Sequence, residues 1–355
     1  MPSKVNCGNY FEDFSLDQTL VHATPRTLTQ GDVALYIALT GSRFLLNSSI
    51  KASKRYGFKD QLVDNLLVFH IAFGKTVPDI SQNAIANLGY AEVKFVEPVF
   101  VGDTISVSSQ IIGLRENSHK KSGIVYVSSK AINQWGRKVL SWKRWVMVNK
   151  RDPQAICTET FVPNLKLLVE YSELTLPRTL RFDLFDVAQS GSPYLWEDYT
   201  VGERIDHRDG MTIDNSDHTL ATKLYQNSAR VHFDEIYMQQ SAFKKRLMYG
   251  GHVISICRSL SYNGLGNGLI LGAINSGTHV APAFAGDTLY AFSKIIEKWC
   301  LSPDKKIGAI RVKTWGVKNT PTEGIATPEI LENNQIKYNP NIVLELDYTL
   351  LFPTK

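Results

Sequence analysis

The residue whose type most invites chemistry is His232, in the run LYQNSARVHFD at 224–234. An imidazole whose pKa lies near ambient pH can take a proton in one direction of a reaction and return it in the other. Around it stand Asn227, Arg230 and Asp234. Further on, Gly250-Gly251-His252 opens an apolar stretch. A helix beginning there would carry unpaired N–H groups, as any helix start does. Residue types alone do not decide the matter. A histidine beside apolar residues is ordinarily a satisfied core residue, and a glycine pair often only relieves crowding between helix and sheet. Other chemistries lack their motifs: there is no G-x-S-x-G elbow, no HExxH, no Walker loop and no G-x-G-x-x-G turn after a strand. The Gly-rich GLGNGL at 264–269 follows a helix-like segment and is expected to end it.

The chain has 355 residues, enough for two cores, and 43% of them are hydrophobic, as in ordinary globular proteins. Its net charge of +5 is scattered, with no basic run interleaved with aromatics, which argues against nucleic acid as a partner. A modest positive balance suits an anionic ligand such as a coenzyme A thioester. The four cysteines form no CxxC pair and sit near no histidine at ligand spacing, so free thiols in a reducing compartment are expected, and no metal. The first residues show no charged region followed by an apolar stretch, and LLVFHIAFG at 66–74 is too short to span a bilayer. A cytoplasmic location away from membranes is the expectation.

An internal repeat supplies the elements that must position these groups. FEDF at 11–14 returns as WEDY at 196–199, Thr27 and Asp32 as Thr212 and Asp217, and Gly123 as Gly308, each 185 residues on; PVFVGDTI at 98–105 returns as PAFAGDTL at 282–289. Each half reads as a helix (32–41 and 217–227), a second, apolar helix (62–74 and 247–260) and then strands with alternating or β-branched character. Asp32 and Asp217 stand where N-caps belong. Strands are expected in AEVKFVE, TISVSSQII, GIVYVSSKAI and KVLSWKRWVMV of the first half, and in GTHVAPA, TLYAFSKII, GAIRVKTWGV and IVLELDYTLLF of the second. Gly102-Asp103 and Gly286-Asp287 mark turns. One buried helix followed by antiparallel strands is an α+β pattern, the double hot-dog fold. It predicts a first domain over 1–150, a proline-bearing linker over 151–193 with a short packing helix in LKLLVEYSEL, and a second domain over 194–355. The halves disagree at the point of interest: Asn47 faces His232, Ser42 faces Asn227 and Ser49 faces Asp234. Only the second half offers an imidazole there, so the first is expected to be a degenerate scaffold.

These residues carry a family resemblance. The run ending His232-Phe233-Asp234, with Asn227 five residues before the histidine, resembles the G-D-x-N-P-x-H-x-D motif of the MaoC-like, (R)-specific enoyl-CoA hydratases. The resemblance implies that His232 and Asn227 hold the water that adds to the double bond, and that the Gly251 N–H binds the thioester oxygen, with Gly250 beside it. GNYFEDF (8–14), VHATPRTLTQGDVALYIALTGSRF (21–44), LLVFHIAFGKTVPDISQNAIANLGYA (66–91), LYQNSARVHFD and MYGGHVISICRSLSYNGL (248–265) extend it to the mesaconyl-CoA hydratases over nearly the whole chain. That implies reversible hydration of mesaconyl-CoA to (2R,3S)-β-methylmalyl-CoA with no cofactor, a hydro-lyase activity.

One departure stands out: the motif aspartate is Asn227, which can orient water but cannot take a proton near neutral pH. A carboxylate could come instead from Asp64, from Asp234 or from the substrate. The substrate's own carboxylate calls for a cationic or donor group. Arg230 ranks first, with Arg258, Arg43 of the first half and His252 as the others. Pairing of two such chains into a dimer is expected.

Overall fold

The computed structural model describes residues 4–157, 160–332 and 335–355. In the first half, β1 (Thr19–Thr27), β2 (Ala84–Phe95), β3 (Thr104–Glu116), β4 (Ser122–Ile132) and β5 (Lys138–Asn149) lie in the order β1-β3-β4-β5-β2. In the second half, β6 (Arg204–Asp206), β7 (Met211–Thr212), β8 (Ile270–His279), β9 (Thr288–Ser302) and β10 (Ile307–Lys318) precede a small hairpin of β11 (Glu329–Glu332) and β12 (Gln335–Tyr338), and β13 (Ile342–Pro353) closes the chain. Here the order is β8-β13-β10-β9-β6, with β7 also on β9. The two orders are mirror copies. β2 pairs antiparallel with β8, so the halves share one eleven-stranded sheet. At that seam Ala91 lies opposite Ser276, its own equivalent 185 residues later, which places an approximate two-fold axis between them.

The helices of the first half are α1 (Gln30–Thr40), the short α2 (Leu45–Ser48) and α3 (Ile50–Arg55), and α4 (Asn65–Thr76). The short α5 (Val187–Ser190) lies in the connection. The second half carries α6 (Asn215–Leu224), α7 (Arg230–Phe233), α8 (Glu235–Gln239), α9 (Gly250–Leu260) and the kinked α10 (Tyr262–Leu265). Eleven of the twelve residues of α4 and ten of the eleven of α9 are buried, so the strands wrap these two helices. Each fully covered aliphatic or aromatic side chain contributes about 1.5–3 kcal/mol, which explains why sequences apolar on nearly every side settle at the centre.

The repeat extends to packing devices. The Phe11 ring covers Gly123 and the Trp196 ring covers Gly308; in each pair a Cβ on the glycine would stand 2.3 Å from the ring. Gly102 and Gly286 both take positive φ, and the following aspartates accept from Phe100 and Phe284 N–H at 2.9 Å. His22 and His207 are buried and bonded to Ser109 and Ser293.

Several details differ from the sequence expectation. Asp32 and Asp217 are third residues of their helices, not caps. Thr29 caps α1 in a capping box with Asp32, which also pairs with Arg26, and Asp214 precedes α6. The first strand of the second array is Ile270–His279, beginning upstream of GTHVAPA, because LILGAIN runs directly from the end of α10 into the sheet. LKLLVEYSEL forms only a 3₁₀ turn at Tyr171–Glu173. The connection packs on both halves: Phe161 bridges to Leu114, the Val169 N–H donates to Asn275, and Leu180 and Phe182 join Tyr56 and Phe58 in a core cluster.

Candidate active site

His232 is held by the segment that leads into α9. Its Nδ1 lies 2.8 Å from the Leu247 carbonyl oxygen, and the Leu247 N–H donates to Val231 O at 2.9 Å. A carbonyl only accepts, so Nδ1 carries the hydrogen and the basic lone pair of the neutral ring sits on Nε2. The ring stands 5.6 Å from that of Tyr249. Burial of the ring pushes its pKa down to about 4; the bond to Leu247 opposes the shift, and His218 and His279 add to it. The imidazole is therefore neutral at physiological pH, a base rather than an acid at rest.

The equivalent place in the first half shows what is special here. Asn47 Nδ2 donates to Leu62 O at 3.1 Å, and Leu62 is the counterpart of Leu247. The same latch is made twice, but only the second copy leaves a basic nitrogen over. The helix starts differ in the same sense. Asp64 caps α4, its Oδ1 accepting from the Leu66 N–H at 2.8 Å. At the equivalent cap of α9 stands Tyr249, whose side chain makes no cap bond. The Gly251 N–H, counterpart of that of Leu66, has no acceptor among the described residues. A helix of this length concentrates partial positive charge at its free amides, so the second half keeps an open donor where the first half has filled it.

Gly250 and Gly251 both sit too close to neighbours for any side chain. A Cβ on Gly250 would lie 2.4 Å from the His279 ring, and one on Gly251 2.4 Å from Tyr249 and 2.5 Å from His70 Nδ1. Asn227 is buried and its Oδ1 accepts from the Ala229 N–H at 3.0 Å, shaping the turn into α7 and leaving only Nδ2 as a donor. His252, third residue of α9, is buried, and neither ring nitrogen has a partner among the described residues. Burial pushes its pKa down to about 3, with His218 adding to the shift.

The arginines part company. Arg230 is exposed, makes no ion pair among the described residues, and lies 6.0 Å over the Tyr237 ring. Arg258 is buried on the side facing the first half, bonded to Ser261 and the Gly268 carbonyl and stacked 3.6 Å over Phe44. There it lines a cleft with Asn47, Asp64 and Asn65. Asp234 caps α8 through the Tyr237 N–H, a structural task.

Sequence reasoning did not single out His70, Tyr225 or Tyr249, which gather around Gly251. The rings of Tyr225, Tyr249 and His70 lie within 5.0–5.7 Å of one another. His252 is a buried polar group without a partner among the described residues, while the Tyr225 hydroxyl lies toward Ser255 and His218 toward the His232 backbone without a well-formed hydrogen bond. The signal was present in the repeat: His70 and Ser255 are equivalent positions, yet one is an imidazole and the other a hydroxyl.

The fold is that of MaoC-like double hot-dog proteins. A structure described as a MaoC domain protein dehydratase from Chloroflexus aurantiacus superposes with a TM-score of 0.96 at 52% identity over the whole of both chains. A Mycobacterium tuberculosis protein described as having a double hot-dog fold superposes at 0.74, with 22% identity over 97% of this chain and 99% of the other. Within that class the chain belongs to the mesaconyl-CoA hydratase family, whose model matches residues 3–323. It is 52% identical over 355 residues, all of both chains, to the β-methylmalyl-CoA dehydratase of Chloroflexus aurantiacus. To the mesaconyl-CoA hydratase of Cereibacter sphaeroides it is 46% identical over 350 residues, 99% of each.

Proposed function

We propose that this protein is a hydro-lyase that interconverts mesaconyl-CoA and β-methylmalyl-CoA, with His232 as its single proton carrier. The observation that carries the assignment of roles is the fixed tautomer of His232. Its Nδ1–H is committed to Leu247, so Nε2 is a neutral acceptor at working pH. In the hydration direction, Nε2 takes a proton from water as the water oxygen bonds to C3. Electrons of the C2=C3 bond shift onto the thioester oxygen, which the Gly251 N–H and the α9 dipole hold. The imidazolium then returns its proton to C2 on the same face. Water is consumed, the imidazole is regenerated, and neither metal nor redox cofactor is required.

In this reading Asn227 orients the water through Nδ2 and moves no proton. Gly250 keeps the helix start narrow enough to approach. His252 is a neutral donor deeper in the acyl site. Arg230, exposed at the start of α7, receives anionic groups of the substrate at the mouth. The enzyme acts as a dimer of double hot-dog chains in the cytoplasm.

Incubation with mesaconyl-CoA, followed by mass detection of a product heavier by one water, tests the activity. Crotonyl-CoA in parallel tests the preference for a carboxylated acyl group. Release of free CoA thiol without a water adduct would assign a thioesterase instead.

A further inference from the structure

His70 belongs to α4 of the first half, yet its imidazole lies over the start of α9 in the second. The residue is fully buried. Its Nε2 is 3.0 Å from Ser255 Oγ, and its Nδ1 has no partner among the described residues. Nδ1 stands 2.5 Å from where a Cβ on Gly251 would be. In a helix the Cα–Cβ bond tilts toward the N-terminus, so Nδ1 occupies the side of Gly251 that faces the free amides.

The hydrogen-bond chain around Ser255 favours the tautomer with the hydrogen on Nδ1. Tyr36 OH donates to Ser255 Oγ at 3.1 Å. The serine then has one proton to give, and His70 Nε2, 3.0 Å away, is placed to accept it. Accepting there leaves the hydrogen of the neutral ring on Nδ1. An N–H buried without an acceptor is costly, of the order of 1–3 kcal/mol, and is retained where a ligand completes it. Burial, with His252 and His279 nearby, holds the His70 pKa well below 6.5, so the ring donates a hydrogen bond without giving up a proton.

We propose that His70 is a second donor to the thioester oxygen, its Nδ1–H joining the Gly251 N–H in a cradle built from both halves of the chain. This rests on the hydratase reading above for the identity of the thioester. It also gives the first half a catalytic contribution although it lacks the base.

The test uses methylsuccinyl-CoA labelled with ¹³C at the thioester carbonyl, which is saturated and cannot be hydrated. In the wild type, isotope-edited infrared spectra should show the bound carbonyl stretch below its value in water. In His70→Leu the stretch should move back toward the free value. Turnover of mesaconyl-CoA should fall about 10²-fold with KM changed much less, as for loss of one oxyanion donor. His70→Asn keeps an N–H close to the place of Nδ1 and should recover most of both. Ser255→Ala, which releases the tautomer, should weaken the shift. If His70→Leu does not fold, His70→Asn and Ser255→Ala decide the matter by the carbonyl stretch. An unmoved stretch in His70→Leu, or a His70→Asn variant as impaired as His70→Leu, overturns the proposal. Absence of hydration by the wild type would sink the reaction assigned above, while the carbonyl shift would still decide the role of His70.

Discussion

His70 and Ser255 occupy the same place in the two halves of the chain, 185 residues apart, and they hydrogen-bond to each other at 3.0 Å. Two copies of one position can meet only near the axis that relates the copies. The candidate site lies at this seam and draws on both sides of it.

The Asn47 latch suggests the cleanest removal of the proposed base. His232→Asn can donate to Leu247 O just as Asn47 donates to Leu62 O. The variant should keep wild-type stability within about 1 kcal/mol in urea unfolding, the net worth of one hydrogen bond. Its turnover of mesaconyl-CoA should fall at least ~10²-fold, the usual contribution of general acid–base help. Near-normal turnover would remove His232 from the chemistry.

The depressed pKa of His232 sets the acid limb of the rate profile. Burial holds it at about 4, so the reactive neutral form persists as pH falls past the usual 6.5. In initial-rate measurements, kcat/KM for hydration should stay flat from about pH 8 to about pH 5.5 and fall only nearer its folded pKa. A break centred at 6.5 would show an imidazole exposed to solvent.

Acid should weaken the fold through the buried histidines. Burial brings His207 and His218 to about 4 and His252 to about 3, and holds His70 well below 6.5. Their folded values lie below the unfolded one, so the stability they confer is complete above 6.5 and is lost as pH falls from there through about 4. Each of the three rings held at about 4 or below costs about 2 kcal/mol between pH 7 and pH 5. Urea midpoints at the two pH values should differ accordingly, and an unchanged midpoint would contradict the burial of these rings.

Asp64 offers a check on where the carboxylate is missing. It caps α4 in the first half, so Asp64→Asn should retain both activity and stability, and Asp64→Ala should lose about 1 kcal/mol with activity intact. A large loss of turnover in Asp64→Asn would instead assign it the role that Asn227 has given up.

The sequence by itself determined the duplicated plan. Apolar helical segments at 62–74 and 247–260 and alternating strands made a buried helix and a wrapped sheet the economical solution in each half, because burial of periodic apolar side chains is a local property of the string. It also singled out His232, since the repeat breaks there. It misread Asp32 and Asp217 as caps, because capping depends on which residue first leaves the helical conformation and not on residue type alone. Only the tertiary structure decided which nitrogen of His232 is basic, that the Asn227 oxygen is already spent on Ala229, that Arg258 faces the first half while Arg230 faces solvent, and that His70 reaches over Gly251. Each of these depends on a hydrogen bond or packing contact set by three-dimensional approach, and no spacing along the chain encodes that approach.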